Sequence, residues 1–210
     1  MKILYMDCFL GFSAQMLLGA LVDAGLSTDA LTMRLKEIDP TLSVMVQNTE
    51  RASINCKKVT LLSDNAGNHS YSSAAEDLAN EYGYSDETTP MYIDAVIAAI
   101  KELDIEYIIT SDVSLGETVD GKVIELLENA GIVTMPSDES CDNIHPTDAA
   151  FLGYIANECG PRPDMHIIAI GYGAGGTDTQ KPNIVSAIIG EFNSDIFFDA
   201  KDYEELTASL

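Results

Sequence analysis

An α/β (α+β) fold, a mixed β-sheet with helices packed on it in a single main domain, is what this sequence predicts, on three observations. Helical and strand patterns alternate at both ends of the chain, and paired strand patterns occupy its middle and its close. The 210 residues, 46% of them apolar, suffice for one filled core. Paired neighbours mean antiparallel pairs within the sheet, which argues against a purely parallel one.

Residues 2–7 alternate into a short first strand. Residues 12–24 then put Met16, Leu17, Ala20, Leu21 and Ala24 on one helical face, with Gly25 as a stop. Ser27 or Thr28 caps a second helix that ends at Asp39-Pro40. Leu42, Val44 and Val46 alternate with polar neighbours, and Ile54, Cys56, Val59 and Leu61 follow with a phase break between 56 and 59. This predicts an antiparallel pair with a bulge in its second strand. Residues 64–90 hold six acids and no Lys or Arg and read as loop, with a helix over about 73–82. After Pro90, Ile93, Val96, Ile97, Ile100 and Leu103 mark an amphipathic helix that feeds a strand at 105–110. A helix near 119–130, a strand at 132–135, a helix at 146–158 and strands at 166–172 and 183–192 complete the domain, 1–192. The remainder, 193–210, is an acidic C-terminal tail that carries Phe197, Phe198 and Tyr203.

Thirty-four acids against eleven bases give a formal charge of −23. Binding to duplex nucleic acid needs a basic stripe that displaces phosphate counterions, and an anionic membrane surface repels such a chain. Nucleic acid and membrane are therefore excluded as partners. No apolar run reaches the roughly 20 residues of a membrane helix, and the start lacks the marks of a signal peptide. Cys8, Cys56, Cys141 and Cys159 are scattered without a CxxC, which suits reduced thiols and a cytoplasmic location.

Three stretches carry possible chemistry. Asp7-Cys8-Phe9-Leu10-Gly11-Phe12-Ser13 sits where a strand meets a helix, a usual place for ligands. Asp7 and Cys8 are metal-capable there, and Ser13 with nearby amides suits a phosphate. The plain alternative is a capped helix start and a core cysteine. The run from Gly171 through Gly173, Gly175 and Gly176 to Asp178 has the glycine density of a phosphate cradle, within reach of Lys181. A strand follows it, however, where a dinucleotide fingerprint needs a helix, and a simple strand connection reads equally well. Cys141 and His145 are four apart, but Pro146 marks a helix start and leaves the pair in a loop, a weak metal signal. His69 and His166 have no partner near in sequence.

Taken together, these segments resemble the LarC family, the nickel-insertion proteins of the nickel-pincer cofactor. MKILYMDCFLGFSAQMLLGALVDAG is similar to that family's opening, and RASINCKKV at 51–59 to one of its strands. His69-Ser70-Tyr71 stands at a His-Arg-x-Tyr stretch, and IDAVIAAIKELDIEYIITSDVSLGE matches a helix, a strand and a Leu-Gly turn. HPTDAAFL and IGYGAGG…KPNIVSAIIGE match two later motifs, all in order over 1–192. The resemblance implies CTP-dependent insertion of nickel into pyridinium bis-thiocarboxylate mononucleotide, with Mg or Mn as a further cation. Asp7, Cys8 and His69 become nickel-ligand candidates, and Ser13, Gly171, Gly173, Gly175, Gly176 and Lys181 the nucleotide or phosphate candidates. The pattern departs at Gln15, where the family has an acid, and at Leu10, Ala14 and Asp148. The family's His-Phe-His-Glu-Val-Gly stretch has no counterpart. Members also continue into a C-terminal domain, so a truncated paralogue completed by a separate C-terminal domain is the implied form. The alternative is a non-catalytic binding or assembly module that retains the scaffold, working as a homo-oligomer or with a partner.

Overall fold

The computed structural model describes residues 1–8, 10–64, 71–83, 88–116, 119–137, 144–176 and 181–192. The chain order is β1 (Lys2–Asp7), α1 (Ala14–Asp23), α2 (Thr28–Ile38), β2 (Ser43–Arg51), β3 (Ile54–Leu62), α3 (Ser73–Tyr82), α4 (Thr89–Glu102) and β4 (Tyr107–Thr110). It continues through β5 (Val113–Gly116), α5 (Gly121–Asn129), β6 (Thr134–Ser137), α6 (Pro146–Ile155), β7 (Glu158–Cys159), β8 (His166–Ala174) and β9 (Ile184–Glu191). The fold class read from the sequence is the observed one. Seven strands form one mixed sheet in the order β2-β3-β8-β9-β1-β4-β7, and β5 and β6 form a separate parallel pair.

Strand direction is the property that matters for function. β1 runs parallel to β4, β4 to β7, and β3 to β8, while β9 lies antiparallel between β8 and β1. Five strands, β3, β8, β1, β4 and β7, therefore end at one edge of the sheet, and only β2 and β9 run against them.

The expected bulge in β3 is a correction. β2 and β3 pair residue for residue from Ser43↔Leu62 to Arg51↔Ile54. The phase break has a different cause: the two faces of β3 are buried by different neighbours. Val59 and Leu61 enter the main core, whereas Cys56 packs on the opposite face with Ala174, Ile184, Ile54 and Tyr172. An irregularity of register does occur, but in β8, between Ile167 and Ala169.

The main core is one continuous cluster. It takes Leu4, Met6, Val59, Val185, Ala187 and Ile189 from one face of the sheet and packs them against α1, α4 and α6. α1 lies nearest the strands because glycines let it. A Cβ on Gly173 would sit 1.7 Å from the Met16 carbonyl oxygen, and one on Gly171 would sit 2.2 Å from that of Ala20. Gly19 meets the sheet from the helix side, where a Cβ would lie 2.6 Å from the Lys57 carbonyl oxygen. Helix and sheet meet here backbone against backbone.

Helix ends are held by side chains from elsewhere in the chain. The buried Asp94 of α4 accepts from the amide and the hydroxyl of Ser72, which itself caps α3. Burial pushes the Asp94 carboxyl up, and the Ser72 bonds pull it back. His145 caps α6, its Nδ1 accepting from the Thr147 amide at 3.3 Å, while the Thr147 hydroxyl donates to the Gly83 carbonyl oxygen.

Two measurements test this frame. Gly173→Ala should destabilise the protein by about 3 kcal/mol in urea unfolding, since α1 must lift from β8 to admit the methyl group. Gly121→Ala, with nothing within 4 Å of its Cβ, should be neutral or stabilising. The second test concerns pH. Burial lowers the His145 pKa from its ordinary 6.5, with Asp120 opposing. A group lowered in the folded state contributes stability that is whole above the unfolded value and is lost as pH falls through the folded one. Stability should therefore decline on acidification below about 6.5, and less steeply in His145→Asn, whose side-chain oxygen caps without titrating.

Candidate functional site

The carboxyl ends of β3, β8, β1, β4 and β7 define one end of the sheet, where ligands of such sheets gather. The register fixes what stands there. Asp7 lies opposite Ser186 on β9, and Ser186 lies opposite Tyr172 on β8, so the three form one row across neighbouring strands. The opening Asp-Cys turn and the late glycine run thus share one end of the sheet.

Asp7 ends β1 partly exposed, on the face opposite the main core. Tyr5, two residues back on the same face, has its hydroxyl pKa raised by burial first and then by the Asp7 carboxylate. Beyond β4 the chain turns through Ser111 and Asp112. The Ser111 hydroxyl accepts from the Cys8 amide at 2.9 Å and bonds the Asp112 carbonyl oxygen at 2.8 Å. Cys159 ends β7 beside them, its Sγ 3.9 Å from Asp112 Oδ1 and 3.4 Å from the Val133 amide that donates to it.

Cys8 points the other way. Its side chain belongs to the main core at 0% exposure, and burial, with smaller contributions from Asp7 and Cys159, pushes its thiol up to about 12. The thiolate is the metal ligand, so at neutral pH this sulfur is a core atom holding its proton. His69 lies outside the described residues. The chain enters that stretch from β3, which ends on the same side of the sheet as Asp7.

At the start of α1, Ser13 is the N-cap and its Oγ accepts from the Met16 amide at 3.2 Å. The Ala14 amide donates at 2.9 Å to Oδ1 of Asp148, a buried carboxylate on α6. Two donors at the positive end of α1 are thus already used, one of them by an internal anion. Gly171 and Gly173 are the residues on which α1 rests. Gly175 is buried, Gly176 and Lys181 are exposed, and residues 177–180 between them lie outside the described structure. Arg51 fixes this end of β8: its Nε and Nη2 both donate to the Gly175 carbonyl oxygen, at 3.3 and 2.8 Å.

Sequence reasoning missed Asp148, Arg51 and the role of Gln15. Gln15 Nε2 donates to the Val59 carbonyl oxygen and to the Tyr92 hydroxyl, and that hydroxyl accepts from the Leu61 amide. Together the two side chains satisfy backbone of β3 past Lys57, where its pairing with β8 ends. The only local signal was an acid in the first turn of a helix for Asp148; the partners lie 134, 124 and 44 residues away in the chain. Cys141 lies outside the described residues, and among those described no cluster of three His, Cys, Asp or Glu side chains is placed to hold a metal ion. No helix among them is long and apolar enough to cross a membrane.

Comparison with known proteins follows the same segments. A pyridinium-3,5-bisthiocarboxylic acid mononucleotide nickel insertion protein of Geobacillus kaustophilus is 27% identical over 251 positions, covering 91% of this chain and 60% of that one. Its namesake in Acetivibrio thermocellus is 26% identical, covering 90% and 60%. A Syntrophobacter fumaroxidans relative is 30% identical, covering 91% and 61%. The chain thus spans about 60% of the length of these curated relatives. Covering 91% of 210 residues across 251 aligned positions also means that the first relative has about 60 positions with no counterpart here. No solved structure matches significantly. The profile of the family described as nickel insertion protein matches residues 4–103 and 91–208, nearly the whole sequence, and the chain belongs to that family.

Proposed function

We propose that this chain acts in maturation of the nickel-pincer cofactor, as the sheet-bearing part of a protein that inserts nickel into pyridinium bis-thiocarboxylate mononucleotide. Nickel is cargo in this reading, CTP with Mg or Mn the co-substrate, and a separate C-terminal domain completes the site. The observation that carries it is the row Asp7–Ser186–Tyr172 at the carboxyl ends of the parallel strands, in a chain of this family.

Asp7 supplies a carboxylate at the outer end of β1, and His69 supplies an imidazole from the stretch that follows β3. Nickel accepts both oxygen and nitrogen donors. Cys8, protonated and enclosed, holds the turn behind Asp7 and leaves coordination to its neighbours. Gly176 and Lys181, exposed at the end of the glycine run, are the part of the phosphate assignment that we retain, because Gly171 and Gly173 serve the α1 contact, the Gly175 amide donates to the Asn183 carbonyl oxygen at 2.9 Å and the Ser13 oxygen is engaged in capping. Arg51 positions that end of the strand through the Gly175 carbonyl oxygen.

A second reading rests on Asp148. With a carboxylate already at the positive end of α1, the scaffold serves as a non-catalytic binding or assembly module. Nickel binding separates the two. Isothermal titration of the purified chain with Ni²⁺ should give a site that Asp7→Asn weakens by about tenfold or more, the loss of one charged ligand. His69→Ala should act alike, whereas Cys8→Ala should change affinity by less than about twofold, as expected of a thiol held protonated. Absence of any Ni²⁺ binding, with no thermal shift on adding CTP and Mn²⁺, would leave the assembly reading standing.

A further inference from the structure

The open face of the sheet carries an inference independent of nickel. Among the described residues, the face opposite the main core has a small cluster of its own, drawn from strand residues. Exposed apolar side chains lie across it: Leu62 and Met45 from the hairpin, 48% and 39% exposed, and Ile167 and Ile170 from β8, 40% and 44% exposed. By the pairing register, the residues that β2, β3, β8 and β9 turn to this face include no Asp or Glu, whereas Arg51 and Lys58 are both among them. In a chain with 34 acids and 11 bases, an acid-free surface over four strands is a marked local reversal.

The sequence holds a segment of complementary chemistry. Residues 193–210 contain five acids and one lysine, with Ile196, Phe197 and Phe198 contiguous. Where this segment starts limits where it can go. β9 is an interior strand with β8 on one side and β1 on the other, so no free edge is available to the chain that leaves it. Phe192 follows β9 directly, its amide donating to the Met1 carbonyl oxygen at 3.0 Å. One face of the sheet is filled by helices, so the open face is what remains. Asn193, Ser194 and Asp195 are turn-forming types, and four residues of chain reach about 13 Å. Ile188 and Ile170, which pair across β9 and β8, lie within that reach.

We propose that residues 195–206 dock in cis on this open face, with Ile196, Phe197 and Phe198 covering the β8 isoleucines and the flanking acids meeting Arg51 and Lys58. Rings over aliphatic side chains stabilise the contact by apolar burial, and the charges set its polarity. The tail then protects an apolar patch that would otherwise invite association.

The test uses the full chain with ¹³C-labelled isoleucine δ-methyl groups. Ring protons of Phe197 or Phe198 should give nuclear Overhauser effects to the Ile170 methyl, and Phe197→Ser with Phe198→Ser should move the Ile167 and Ile170 methyl shifts. Ile170→Glu alters an exposed site and leaves the core intact; it should speed limited chymotryptic cleavage at 197–203 by about tenfold, the release expected on losing one large apolar contact. No ring-to-methyl effects, together with unchanged cleavage, would overturn the proposal. Effects seen only between differently labelled molecules in a mixed sample would overturn it too, because they place a second copy on the face.

Discussion

The close approach of α1 to β8 is the constraint on which the rest of this molecule depends. Three glycines, Gly19 on the helix and Gly171 and Gly173 on the strand, leave no side chain of their own in the contact, so that peptide groups approach peptide groups. A helix seated this closely has its first turn positioned by the sheet. That first turn begins where β1 ends. The Asp7–Ser13 connection therefore runs between two fixed points, the last residue of an interior strand and the cap of a helix seated on the sheet. Asp23, near the other end of α1, accepts from the Tyr172 amide at 3.0 Å and ties the helix to β8 a second time.

Rigidity at this end of the sheet is gained by internal satisfaction of polar groups. Ser13 and Asp148 take amides of α1, Arg51 takes the Gly175 carbonyl oxygen, and Gln15 with Tyr92 takes the unpaired stretch of β3. Buried backbone groups left without partners would each cost about 1–3 kcal/mol, so these side chains are spent on the fold. The Asp7 carboxylate and the exposed Gly176 and Lys181 lie at the rim. The same division explains Cys8. A thiol beside an aspartate on a strand end reads as a ligand pair, yet the alternation of a strand sends adjacent side chains to opposite faces. One of the two had to be core.

Much of the fold was legible because hydrophobic periodicity is local. The first strand, the helices capped by Ser27 and begun at Pro146, and the closing pair of strands all stand where the pattern places them. The bulge assigned to β3 was a wrong reading of a correct observation, for the phase break records a second buried face and periodicity alone does not separate the two causes. β5 and β7 escaped because four and two residues are too short to show a period. The glycine run was legible as a run but not as a seat for a helix, since that needs the position of Met16 and Ala20 more than 150 residues earlier. Candidate site residues were legible as types; which face each occupies was not.

Family membership and local chemistry then bear on different parts of the molecule. The α1–β8 seat is a packing constraint, set by backbone groups that a side chain would displace. Asp148 is of the other kind. Its carboxylate reaches from α6 to the first amide of α1 and neutralises, from inside the protein, the partial positive charge that a helix end offers to a ligand. A phosphate arriving there would face a fixed negative group at hydrogen-bond distance from the donor it needs. In the proposed reading, anion recognition lies on the Gly176–Lys181 side, where Lys181 stands exposed, and cation recognition lies with Asp7 across the sheet. In that reading the two roles separate by strand position, and the net charge of −23 favours the cationic one.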